Sequence, residues 1–78
     1  MKPTRENIFR VLVQLEQSDS LPKDGPISVF VRRSGGMYAH TAQYAVKVSG
    51  DAVFVRTSRL PFAKTLAFSR HALRSASL

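Results

Sequence analysis

The chain has 78 residues, no Cys, and twelve Lys and Arg against five Asp and Glu, a net charge of +7. That length makes one small basic domain, 1–78, with a thin stability margin, since a chain so short buries only roughly 60–65% of its unfolded surface. The missing Cys excludes disulfides and thiolate metal sites. No apolar run approaches the roughly 18 residues of a membrane span and no signal-peptide core opens the chain, so a soluble cytoplasmic protein is expected.

Residues 4–17 are amphipathic with two readings. As a helix, Ile8, Val11, Leu12 and Leu15 share a face and Thr4, after Pro3, is the N-cap. As a strand, Phe9, Val11, Val13 and Leu15 alternate with Arg10, Leu12, Gln14 and Glu16. The opening Thr-Arg-Glu-Asn and the awkward position of Leu12 on a polar strand face favour the helix, with a fourth strand as the alternative.

Residues 18–26 form a turn-rich connection around Pro22, Asp24-Gly25 and Pro26, which continue neither a helix nor a central strand. A strand over 27–33 follows, with Ile27, Val29 and Val31 on one face and Ser28, Phe30 and Arg32 on the other. Ser34-Gly35-Gly36 breaks it. A second strand is predicted over 38–48, a short hairpin turn at Ser49-Gly50-Asp51, and a third strand over 52–57 with Val53 and Val55 on one side and Phe54 and Arg56 on the other.

Residues 60–76 read as a closing helix, with Phe62, Leu66, Ser69, Leu73 and Ala76 in one stripe and Pro61 in the first turn. Alternation of Lys64, Leu66 and Phe68 with Thr65 and Ala67 makes a strand over 64–69 the competing reading. The predicted fold class is therefore α+β: a three-stranded antiparallel meander packed with an N-terminal and a C-terminal helix. The valine-rich face is the better core. The other face, with Phe30, Thr41, Gln43, Ala45 and Phe54 among Arg32, Lys47 and Arg56, stays open if both helices pack on the valines and becomes core if one covers it.

Charge is unevenly spread. Residues 1–26 carry four cations and four carboxylates, and residues 27–78 carry eight cations against Asp51 alone. Such polarity costs self-repulsion and marks a surface for an acidic partner. Three constellations carry it. Arg32-Arg33 beside Ser34-Gly35-Gly36 offers guanidinium forks and free amides to an anion, and Tyr38 joins Phe30 and Phe54 as a candidate anchor ringed by arginines. The glycine spacing is not that of a phosphate-binding loop. Phe30 and Phe54 among Arg32, Lys47 and Arg56 combine stacking surface with charge, as single-stranded nucleic-acid binders and protein hot spots both do. Arg59, Lys64, Arg70, His71 and Arg74 line the region of the last helix and suit a phosphate backbone, an acidic ridge or plain solvent.

Catalysis finds little support. No pair of the five carboxylates has acid–base spacing, and His40 and His71 have no metal-ligand spacing. No catalytic residue, cofactor or metal is expected, and the chain is read as a non-enzyme. Homodimerisation would help so small a core, though the pattern does not require it.

In size, single-domain α+β plan and charged surface, the whole chain resembles small phage-encoded anti-CRISPR proteins. That class shares no diagnostic motif, so no residue roles transfer. The resemblance implies a non-catalytic blocker working in the host cytoplasm. Members that mimic DNA are acidic, whereas this chain is basic. It would instead grip an acidic or mixed patch of a host protein or nucleoprotein complex, such as the multisubunit Cascade, and block target DNA binding. The other reading is a direct, weakly specific DNA- or RNA-binding protein lacking any named reader motif.

Overall fold

The structure, a computed structural model, describes residues 4–32, 39–57 and 64–77, with side chains described over 4–29, 43–56 and 64–77. The element order is α1 (Arg5–Gln17), β1 (Asp24–Arg32), β2 (Ala39–Ser49), β3 (Ala52–Thr57), β4 (Thr65–Ser69) and α2 (Arg70–Ser75). The four strands form one antiparallel sheet in chain order, β1-β2-β3-β4. The α+β class is thus as expected, and the N-terminal segment is a helix.

Helix α1 starts where its cap predicts. The Thr4 hydroxyl accepts from the Asn7 N–H at 3.2 Å, and the Thr4 carbonyl accepts from Ile8 N–H at 3.0 Å. It ends in a Schellman motif: Ser20 N–H donates to the Leu15 carbonyl at 2.7 Å and Asp19 N–H to the Glu16 carbonyl at 3.1 Å. Asp19 takes the left-handed position, φ 56°, that glycine usually fills. At the β2–β3 turn, Gly50 has φ 58° and sits at the position a type II′ hairpin reserves for glycine.

Two boundaries differ from the sequence reading. Strand β1 begins at Asp24 and includes Gly25 and Pro26. Proline is tolerated because β1 is an edge strand, paired only with β2. The larger correction concerns the helix predicted over 60–76. Residues 65–69 are strand β4, paired to β3 through Val53↔Phe68 and Val55↔Leu66, and the helix is confined to Arg70–Ser75. The physical reason is the bare edge of β3: Val53 and Val55 need neighbours on the inner face, and Phe68 and Leu66 supply them at period two. A helix there would leave that ladder unpaired. The meander consequently has four strands. Residues 60–63 of the predicted helix lie outside the described residues.

The core is one layer of side chains between the sheet and the helices. Ile27, Val29, Tyr44, Val46, Val53, Val55 and Phe68 from the sheet meet Ile8, Leu12 and Val13 of α1 and Leu73 of α2. Both helices therefore cover the valine-rich face. The opposite face carries no layer among the described residues, and this decides where a partner can reach the sheet.

Candidate partner-binding face

Strand register assembles the open face. Lys47 stands opposite Phe54, which stands opposite Ala67; Pro26, Ala45, Arg56 and Thr65 form the adjacent row. Ser28 and Gln43 form the next, with Gln43 Nε2 donating to Ser28 Oγ at 2.9 Å. All of these residues are exposed. Phe54, at 38% exposure, is the one large apolar side chain left exposed among the described residues. A small apolar centre of Phe54, Ala45, Ala67 and Pro26 is thus bordered by Lys47 and Arg56 and rimmed by Ser28, Gln43 and Thr65. Neither Lys47 nor Arg56 is ion-paired among the described residues. Asp24, opposite Lys47, is the carboxylate at the β1 margin of this face.

The cations of the last helix are placed differently. Glu16, at the end of α1, has a side chain only 6% exposed and accepts from Arg70 Nε at 3.0 Å and Arg74 Nε at 2.8 Å. The Arg74 hydrogen bond foremost, with the Arg70 bond and both positive charges, holds the Glu16 carboxyl below its ordinary value of 4.5 in spite of burial, which raises it. Arg70 and Arg74 therefore serve as ties between α1 and α2, on the helical side of the molecule and away from Phe54. Gln17 completes the tie by donating from Nε2 to the Leu73 and Ala76 carbonyls at 3.3 and 2.7 Å.

Asp51, the last residue of the β2–β3 turn, caps the same helix. Its carboxylate accepts from Ser69 Oγ at 2.8 Å and from His71 N–H at 2.9 Å, and its carbonyl accepts from Arg70 N–H at 2.7 Å. The Ser69 bond, then the His71 N–H, lowers its pKa from the ordinary 3.8. Both perturbed carboxyls are shifted downward, which keeps them ionised, the opposite of what a general acid requires. Among the described residues no three His, Cys, Asp or Glu side chains cluster as metal ligands, and no helix is long and apolar enough to cross a membrane.

Of the residues singled out in the sequence, Lys47, Phe54 and Arg56 come together on the open face. Lys64 is exposed just before β4. Phe30 and Arg32 continue β1 in register with Thr41 and Ala39, but their side chains, together with Arg33, Tyr38, Arg59 and the Ser34-Gly35-Gly36 turn, lie outside the described residues. Sequence reasoning missed three structural roles: Glu16 as the anchor of two arginines, Asp51 as a long-range cap, and Arg5. The last donates from a guanidinium nitrogen to the Ala67 carbonyl at 2.7 Å and lies 4.4 Å from the centroid of the Phe68 ring. Only Asp51 had a local signal, its place in a Ser-Gly-Asp turn; the others depend on partners more than fifty residues away. No family model matches the chain, and no match is found among curated proteins or solved structures.

Proposed function

We propose that this is a non-catalytic binding protein whose open sheet face docks on an acidic or mixed surface of a host protein or nucleoprotein complex. In its sharpest form the proposal is a phage-type inhibitor, anti-CRISPR-like, that acts in the host cytoplasm by blocking target DNA binding by a complex such as Cascade. One observation carries the docking part: a four-stranded sheet with both helices on one side and, on the other, exposed Phe54 beside Lys47 and Arg56, neither of them ion-paired among the described residues. An apolar anchor within a polar, charged border is the anatomy of a protein interface, where the anchor supplies affinity and the charges speed and orient encounter. The basic excess of residues 27–78 supports an acidic partner.

The test is a target-DNA-binding assay on purified Cascade with added protein. Inhibition that is lost on Phe54→Ala and weakened by Lys47→Glu with Arg56→Glu supports the reading. Unimpaired DNA binding at saturating protein removes the anti-CRISPR form. Affinity capture from host lysate with and without nuclease then tests the wider one, and nuclease-resistant capture of one assembly that depends on Phe54 is expected.

Direct nucleic-acid binding is the second reading, favoured by an aromatic ring set between cations, where a base can stack and phosphates can pair. It predicts steep salt dependence: neutralising about five duplex phosphates gives a log–log slope near −4.5, at about −0.9 per phosphate. Undetectable binding to generic DNA and RNA at low salt would eliminate it.

A further inference from the structure

The two edges of the sheet are not equivalent. At β4 the strand is five residues long, it runs directly into α2, and Arg5 occupies the outward Ala67 carbonyl. Edges shortened and covered in this way resist pairing. At β1 the strand is nine residues long, an edge of about 30 Å at ~3.4 Å per residue. The outward groups of β1 follow from its ladder. Val48 N–H donates to the Lys23 carbonyl at 2.7 Å, which places Lys23 among the residues bonded to β2. Alternation then turns the main-chain groups of Asp24, Pro26, Ser28, Phe30 and Arg32 away from the sheet. Among the described residues, none bonds to the outward main chain of residues 24–29.

We infer that β1 pairs antiparallel with β1 of a second copy of this chain, about a two-fold axis at Ser28, giving a continuous eight-stranded sheet. The pairing is self-complementary in charge. With Ser28 opposite Ser28, Pro26 stands opposite Phe30 and Asp24 opposite Arg32, so the strand's one acid and one base take facing register positions twice across the axis. Moving the register by one step of the ladder in either direction separates Asp24 from Arg32. The central Ser28 residues exchange both main-chain hydrogen bonds, and the Pro26 carbonyl accepts from Phe30 N–H. The missing N–H of Pro26 leaves one ladder bond unmade on each side of the axis. Opposite charges at cross-strand positions favour this pair over others, whereas like charges there oppose it. A closed two-fold contact also ends assembly at the dimer, since both remaining edges are β4 edges. The axis lies perpendicular to the sheet, so both Phe54 faces point the same way and form a bivalent surface.

Sedimentation velocity on the full chain, from micromolar to sub-millimolar concentration, should show the mass rising to twice that of the monomer. Ser28→Pro deletes the central outward N–H and leaves the β1–β2 ladder intact, so it should remain monomeric with unchanged far-ultraviolet circular dichroism. Asp24→Arg and Arg32→Asp should each weaken self-association by about tenfold or more, and mixing the two variants should restore a heterodimer, because both cross-axis contacts are then complementary. A monomeric wild type across the range would overturn the inference. So would a folded, dimeric Ser28→Pro protein, or a mixture that associates no better than either variant alone. Should Ser28→Pro fail to fold, the charge-exchange mixture alone decides.

Discussion

Asp19 is the residue under greatest local strain among the described non-glycine residues, because it alone of them holds a positive φ. The left-handed region brings Cβ close to the following carbonyl, a penalty of about 1–2 kcal/mol for an average residue and less for Asp. Asp19→Gly should therefore raise stability by about 0.5 kcal/mol, the relief exceeding the added freedom of the unfolded chain. Urea denaturation with an unchanged m-value would register it. Glu16 makes a different residue-scale prediction. Its folded pKa lies below the ordinary 4.5, so its contribution is complete above that pH and is lost as pH falls through the lowered folded value. Stability measured from pH 7 to pH 3 should decline more steeply for the wild type than for Glu16→Gln. A variant curve parallel to the wild type would show that the two arginines contribute nothing through this carboxylate.

At the scale of elements, α1, the first three strands and the valine face were legible because each rests on local signals: a cap, a period, a two-residue turn. Ala52–Thr57 lies where alternation put it, and the grouping of Phe54 with Lys47 and Arg56 follows from the same period, whereas the openness of that face depends on both helices packing against the valines. The segment 65–69 was harder. Leu66, Ser69 and Leu73 fit a helical stripe as well as Leu66 and Phe68 fit a strand, and the tie is broken by the unpaired edge of β3, a non-local fact. Helix α2 is too short to persist by propensity alone, and Asp51 holds its first turn from the adjoining β2–β3 turn. Asp51→Ala should accelerate amide exchange at His71 and its neighbours in α2 while leaving the β2–β3 ladder protected. Equal protection in the variant would mean that Ser69, which accepts from Ala72 N–H at 3.3 Å, suffices as the cap.

For the whole molecule, the basic surplus resolves into two populations. Arg5, Arg70 and Arg74 brace the helices and β4, whereas Lys47 and Arg56 stand on the bare side of the sheet without an ion pair among the described residues. Net charge is therefore a poor count of the cations available to a partner, and the sequence could not divide them because Glu16 is remote from both of its arginines. The two sides of the sheet should respond oppositely to the same substitution. Val46→Asp places a charge at 1% exposure and should cost several kcal/mol, enough to unfold so small a domain. Phe54→Asp should melt within a few degrees of the wild type, as surface changes of about 0.5 kcal/mol or less do. Paired thermal melts check both, and a collapsed Phe54→Asp protein would mean that this face is covered.

The contacts of Arg5 and Glu16 join the first helix to residues 67–74, so the interior is sealed only once those residues have reached it. During translation the amphipathic helix emerges first, and the strand and helix it must grip follow more than fifty residues later. The nascent chain then carries Ile8, Leu12 and Val13 without their final cover. Completion of this fold waits on those later residues, and chaperones that shelter emerging apolar segments have their opportunity before that point.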